Sequence, residues 1–196
     1  MKRLFDIIFS FLGLIITSPV LAIIAFLIKL TSPGPVFYRG ERIGKNGKIF
    51  RMFKFRSMVE NAEEIGGPST ASDDPRLTKI GNFLKKYQLD EIPQLINVLH
   101  GDMGLVGPRP EVRLYIDMMS EEERKLILSV RPGMTDLASL WNFHEGEILK
   151  GSPDPEKTYL EKIRPEKIRL QMEYVKNRSF LLDLNIIIKT IIKVFK

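Results

Sequence analysis

The 196-residue sequence predicts a mainly helical α+β protein of monotopic membrane type. Three observations predict it. A long apolar run opens the chain with a proline at its middle. Two strand-like runs flank an Asn-Gly turn. Beyond them, apolar residues recur at helical spacing behind recognisable start signals.

The apolar run extends from Leu4 to Leu30, interrupted by Asp6, with Lys29 at its back end. It is too long for a signal-peptide core, and no small-residue cleavage site follows. Its length suits a membrane segment. Ser18-Pro19 lies mid-run, where a proline lacks the backbone donor and crowds the preceding turn, so a kink is expected. Each arm would then be about 15–20 Å long, short of the roughly 30 Å hydrocarbon core. Lys2 and Arg3 precede the run; Lys29, Arg39, Arg42, Lys45 and Lys48 follow it. Both flanks ask for the cytoplasmic side. A re-entrant helix over 1–32 that enters and leaves by one face satisfies this better than a simple span, with the Ser18 hydroxyl serving backbone groups freed at the kink.

Pro33-Gly34-Pro35 separates this segment from a cytoplasmic domain, 33–196, expected to lie on the membrane surface. Val36–Arg39 and Ile49–Phe55 read as strands joined through Gly44-Lys45-Asn46-Gly47, a β-hairpin. Residues 61–76, rich in Gly, Ser, Asp and Pro, read as a mobile loop. A short helix is expected over 80–86. Gly101 to Pro110 reads as a loop whose Pro-Arg-Pro aims Arg109. Ser120-Glu121-Glu122-Glu123 is a capping box that opens a helix, which Arg131-Pro132-Gly133 closes. Pro165 starts another helix, with Ile168, Met172 and Val175 on one face. In 179–196, Lys189, Lys193 and Lys196 fall on one stripe of an otherwise aliphatic helix. That pattern suits an interfacial amphipathic helix facing anionic lipids, and equally a core helix with one solvated stripe.

Composition narrows the chemistry. With 30 Lys+Arg against 24 Asp+Glu, the chain carries a net charge of +6, which suits anionic partners. The absence of cysteine excludes thiol nucleophiles and zinc-thiolate sites. His100 and His144 are the two histidines, too few for a histidine-rich metal cluster, and neither sits at a triad spacing.

The candidate chemistry centres on Asp90-Glu91, within Leu89-Asp90-Glu91-Ile92-Pro93-Gln94-Leu95. Ile92, Leu95, Ile96 and Leu99 lie on one helical face behind it. Asp90 then reads as the N-cap, where the helix dipole favours an ionised, nucleophilic carboxylate. The plainer alternative is a capping Asp followed by a dipole-compensating Glu, with no chemistry.

These pieces together, with Lys54-Phe55-Arg56-Ser57-Met58, Asn97-Val98-Leu99, Gly101-Asp102-Met103 and Gly107-Pro108-Arg109-Pro110, resemble the bacterial sugar transferases, the monotopic phosphoglycosyl transferases, in their short catalytic-core form. The resemblance covers essentially the whole chain. It implies transfer of a phosphosugar from a UDP-sugar to polyprenol phosphate, with UMP released, at the cytoplasmic face of a bacterial inner membrane. It implies a Mg²⁺ requirement and places the nucleophile at Asp90, with Glu91 as its partner and a covalent phosphosugar intermediate. The residue chemistry agrees. A carboxylate approaching a diphosphate needs its charge neutralised, by Mg²⁺ on Asp90 and phosphate oxygens and by Arg109, Arg131, Lys54 and Lys85 as phosphate ligands. Lys85 departs from the arginine usual there and lacks the bidentate fork. The stretch Thr135 to Gly146 departs further: Asp136 replaces a glycine and Ser139 falls near the usual glutamine. It is either a specificity segment or a packed loop with Trp141 and Phe143 in the core. Two rivals stand beside this reading. In one, Asp90 only holds Mg²⁺ and the lipid phosphate attacks directly. In the other, the chain is a membrane-tethered basic binding module without catalysis, for nucleic acid or another polyanion.

Overall fold

The computed structural model describes residues 2–194. The fold is mainly helical α+β, with one long apolar N-terminal helix and a small antiparallel sheet. Lys196, counted above in the C-terminal stripe, lies outside the described residues.

The apolar run forms α1, Lys2–Thr31, a single helical run with Pro19 inside it. A proline at 19 leaves the Ile15 carbonyl without its i+4 donor, and the Ser18 hydroxyl donates to that carbonyl at 2.8 Å. Among the described residues α1 is the one helix long and apolar enough to cross a membrane, and little of it is buried. What it buries is specific. Ile24 and Ile28 pack with Phe55 and Leu84 at its C-terminal end. At its N-terminal end the polar groups are tied down: Lys2 meets Asp183 at 2.5 Å, and Arg3 donates to the carbonyls of Val98 and Leu99.

β1 (Phe37–Ile43) and β2 (Ile49–Phe55) pair antiparallel, Phe37 opposite Phe55. Asn46 and Gly47 both take positive φ, 56° and 78°, as the Asn-Gly signal requires. The expected mobile loop at 61–76 instead contains α2 (Ala62–Ile65) and folds around a buried Arg76. That guanidinium donates to the carbonyls of Ala62, Gly67 and Ser69 and pairs with Asp74 at 2.7 Å. One buried charge thus supplies the order that composition conceals.

α3 (Lys79–Lys86) is capped by the Thr78 hydroxyl, and α4 (Gln94–His100) ends at Gly101, φ 91°. Buried Asn97 staples α4 to β2: its Oδ1 accepts from Phe53 N at 2.8 Å and its Nδ2 donates to the Arg51 carbonyl at 2.9 Å. The expected loop after Gly101 holds a strand, β3 (Gly104–Val106), parallel to β4 (Gly133–Thr135). A Cβ on Gly133 would lie 2.0 Å from Gly107 N, so the glycine of Arg131-Pro132-Gly133 is required by backbone approach.

Two short helices, α5 (Arg113–Asp117) and α6 (Glu121–Ile127), follow β3, and α6 carries both bonds of its capping box. α7 (Leu137–Trp141), α8 (Glu145–Leu149) and α9 (Pro155–Thr158) lead through a π-helical turn at Tyr159–Ile163 into α10 (Arg164–Asn177). α11 (Phe180–Val194) packs Ile186 with Val106, Tyr174 and Val175, while Leu181, Ile188, Ile191 and Ile192 stay exposed. Lys189 and Lys193, one helical turn apart, are both exposed, and Lys193 also reaches α7, donating to the Leu140 carbonyl at 2.5 Å.

Candidate active site

Asp90 sits in a single 3₁₀ turn, Leu89–Glu91, opened by Gln88 in the left-handed region at φ 53°. The expectation that Asp90 caps the following helix is corrected here, since α4 starts at Gln94 and Asp90 makes no capping bond. Pro93 is the cause. It has no N–H to give the Leu89 carbonyl, so Ile92 N closes a tighter turn on it at 3.4 Å.

Asp90 is 3% exposed and faces a cleft of ≈1670 Å³. Burial pushes its carboxyl above the ordinary carboxylate range; Lys54 draws it down, Glu91 pushes it up, and Lys85 and Arg109 draw it down. Lys54 Nζ lies 3.9 Å from Asp90 Oδ2. Neighbouring cations, rather than a helix N-terminus, therefore favour the Asp90 charge.

Glu91 has a different task. Its Oε2 accepts from Arg109 Nη1 at 2.9 Å, and its Oε1 accepts from Arg109 Nη2 and from Lys54 Nζ, the latter at 2.7 Å. Burial opposes its charge, but Arg109 and then Lys54 outweigh burial and hold it well below the usual carboxylate range. With both oxygens engaged, Glu91 orients the two cations that flank Asp90. Lys85 lines the same cleft. Burial, then Lys54, lowers it to about 8 against the pull of Asp90, Glu91 and Glu145.

The structure thus brings Lys54, Lys85, Asp90, Glu91 and Arg109 together. Arg131 stands outside the cleft lining: it is exposed, and its Nε donates to the Gly101 carbonyl at 3.0 Å. Ser18 and Pro19 belong to α1 and do not line the cleft.

Among the described residues no three His, Asp or Glu side chains gather as a metal cage. Glu91 is committed to cations, which leaves Asp90 as the protein oxygen donor of the dyad. One carboxylate completed by substrate phosphates is a common way to hold Mg²⁺, so the residues fit that ion only with a diphosphate present.

Residues outside the expected site set hold this geometry. Asp136 is fully buried; its Oδ1 accepts from Ser139 N at 2.6 Å, capping α7, and its Oδ2 from Arg109 N at 3.2 Å. Gln171 donates to the Arg109 carbonyl at 3.4 Å. The Asp136–Ser139 spacing carries an N-cap signal; Gln171 carries none. Thr135, Ala138, Ser139 and Asn142 line the cleft. Trp141 is not core, as the packed-loop alternative required, but 46% exposed, and Phe143 lies half-buried under Lys193 Nζ at 5.6 Å.

The model of the family described as bacterial sugar transferase matches residues 1–196. The chain is 38% identical over 192 residues to the UDP-N-acetylgalactosamine-undecaprenyl-phosphate N-acetylgalactosaminephosphotransferase of Aeromonas hydrophila, covering 97% of this chain and 42% of that protein. It is 38% identical over 203 residues to the UDP-glucose:undecaprenyl-phosphate glucose-1-phosphate transferase of Escherichia coli K12, covering 100% of this chain and 40% of that protein. It is 38% identical over 204 residues to the exopolysaccharide production protein PSS of Rhizobium leguminosarum bv. phaseoli, covering 98% of this chain and 94% of that protein. The chain therefore spans about two fifths of the length of the first two relatives and nearly all of the third. With the family model matched from end to end, the chain belongs to the bacterial sugar transferase family.

Proposed function

We propose that this chain transfers a sugar 1-phosphate from a UDP-sugar to undecaprenyl phosphate, releasing UMP and beginning the synthesis of a membrane-linked glycan. The observation that carries this reading is a buried carboxylate, Asp90, beside two lysines and an arginine at the wall of a cleft in a membrane-seeking chain. The names of the relatives supply the donor and acceptor.

In the proposed sequence, an Asp90 carboxylate oxygen attacks the β-phosphorus of the donor. The bond from that phosphorus to the bridging oxygen breaks, and UMP leaves with the electron pair. A phosphate oxygen of undecaprenyl phosphate then attacks the phosphosugar held on Asp90, and the aspartyl–phosphorus bond breaks. Lys54, Lys85 and Arg109 neutralise the non-bridging oxygens throughout, which lets one anion approach another. Mg²⁺, held by Asp90 and the diphosphate, would add charge neutralisation at those oxygens. The exposed position of Arg131 supports a different role for it, tying β4's approach to the end of α4.

The acceptor's phosphate lies at headgroup level, so the site belongs near a membrane surface. The apolar α1, basic residues on both of its flanks and the bare apolar face of α11 support a monotopic placement on the cytoplasmic face, with α1 re-entrant. Cysteines placed singly at positions 2 and 46 label from the same side of sealed vesicles if α1 is re-entrant, and from opposite sides if it spans.

The deciding assay offers a panel of UDP-sugars with undecaprenyl phosphate and Mg²⁺ and reads UMP release. Without acceptor, mass spectrometry finds the phosphosugar on Asp90. Full activity in Asp90→Asn with no adduct overturns the nucleophile in favour of direct attack. No UMP from any donor, with salt-sensitive polyanion binding, overturns catalysis in favour of a binding module.

A further inference from the structure

Three carboxylates compete for the guanidinium of Arg109. Burial opposes its charge; Glu91 most strongly, then Glu145 and Glu111, favour it. Among the described residues its side-chain bonds go to Glu91. That choice sets Arg109 beside Asp90. A guanidinium drawn to another acid would leave the phosphate end of the cleft short of a cation.

Both rivals are occupied. Glu145 Oε2 accepts from Asn142 Nδ2 at 2.9 Å. Glu111 is the nearer rival along the chain, two residues from Arg109 across Pro110, and both residues line the cleft. Its backbone is fixed, because its carbonyl accepts from Ile43 N at 3.0 Å. Its side chain meets Lys167 of α10: Nζ lies 2.6 Å from Oε1, with the two side chains 10% and 11% exposed. Lys167 Nζ also donates to the hydroxyl of Tyr159 at 2.9 Å, and Tyr159 stands in the core. One turn further along α10, Gln171 donates to the Arg109 carbonyl. The helix thus grips Arg109-Pro110-Glu111 at both ends. A buried ion pair adds little stability over an apolar pair of similar volume, so one kept at the wall of a cleft calls for another role.

We infer that Lys167 is a positioning residue for the transfer: by engaging Glu111 it removes a rival acid and leaves Arg109 to Glu91, beside Asp90. Lys167 acts through Glu111 and Arg109 and does not itself touch substrate. Without it, Glu111 is a buried carboxylate lacking its partner, with the Arg109 guanidinium to turn to. This inference rests on the transferase reading above.

The test uses the full chain in a membrane mimetic and reads UMP release from the UDP-sugar that the wild type uses best. Thermal melting checks folding, and all rates are taken well below the lowest melting temperature. Lys167→Met should lower kcat/KM by about tenfold or more, the scale of one charge-assisted bond. Adding Glu111→Gln removes the rival and should raise kcat/KM again by at least ~5-fold. In an Arg109→Gln background, which has no charge to divert, Lys167→Met should change kcat/KM by less than about twofold. Lys167→Gln, which keeps a donor for Glu111, takes its place in each arm if Lys167→Met does not fold. Three results each overturn the inference while leaving the transferase reading intact. One is a folded Lys167 variant with wild-type kcat/KM. Another is no recovery on adding Glu111→Gln. The third is a loss that repeats in the Arg109→Gln background, as a merely structural residue or a direct phosphate ligand would give. Wild-type protein that releases no UMP from any donor overturns the transferase reading, and this inference with it.

Discussion

Arg109 and Glu91 form a two-pronged ion pair: one guanidinium donates to both oxygens of one carboxylate, and Lys54 shares Oε1. The second carboxylate of the dyad is therefore occupied as a positioning group. Arg109→Lys keeps the charge but loses the fork. Losing one charge-assisted bond, about 1.5–3 kcal/mol, predicts a roughly 10- to 100-fold fall in kcat/KM for UMP release. Glu91→Gln should fall comparably, because the neutral amide attracts Arg109 and Lys54 less.

Asp90→Asn separates activity from stability. Burial disfavours the ionised form in the fold, so the neutral isostere should hold or raise the melting temperature at pH 7. Turnover should drop by roughly 10⁴-fold or more, as for removal of a covalent nucleophile. A parallel fall in melting temperature would count against this account of Asp90.

Lys85 gives the pH profile its alkaline limb. Its charge is lost as pH rises through about 8, and phosphate neutralisation weakens with it. UMP release should decline above that pH, and Lys85→Arg should carry activity to higher pH. Stability moves the other way. Between about 8 and the ordinary 10.5, the unfolded chain holds a proton that the folded chain has released, so Lys85's contribution to stability grows with pH.

Arg76 governs the segment that closes one side of the cleft. Arg76→Ala leaves the partly buried Asp74 with only the backbone N–H of position 76 and takes the donor from three carbonyls, at a cost of about 1–3 kcal/mol, measurable as a lower denaturation midpoint and as new proteolytic cleavage within 61–76. Burial pushes the Asp74 carboxyl up, but bonds and charge from Arg76 outweigh it and lower it beneath 3.8. The pair's stabilisation is present above that ordinary value and fades as pH falls through the depressed one; the variant should lack this dependence.

Ser120 provides the control. Both bonds of its capping box lie on the exposed α6, away from the cleft. Ser120→Ala should cost about 1 kcal/mol, roughly 2–4 °C in melting temperature for a chain of this size, and leave UMP release unchanged.

The parts of the fold written in local chemistry could be read from the sequence. Asn46-Gly47 announces its turn, Ser120 and Glu123 their helix start, and the apolar run its helix. What could not be read depends on contacts between distant positions. Gly104–Val106 is too short to signal a strand and exists because Gly133–Thr135 lies beside it. Residues 61–76 have a disordered composition and are organised by one arginine. Asp90, Glu91, Lys54, Lys85 and Arg109, which the fold brings together, stand out in the sequence because each sits in a recognisable run. That Asp136 and Gln171 hold Arg109 at its amide and its carbonyl was not legible, because bracing another residue's backbone leaves no local pattern. Arg131, picked out by its distinctive run, stands apart from this group, and the backbone approach at Gly133 accounts for the glycine beside it.

The bond from Lys2 to Asp183 joins positions 181 residues apart. α1 is synthesised long before α11, so it emerges while the groups that satisfy its polar end are still unmade. Assembly around the cleft is therefore a late event, completed only after α11 has been synthesised, and Asp6 and Lys2 must wait at the bilayer surface until then. A nascent chain arrested before Asp183 should be membrane-bound but protease-sensitive throughout its soluble portion, with resistance appearing abruptly once α11 is released.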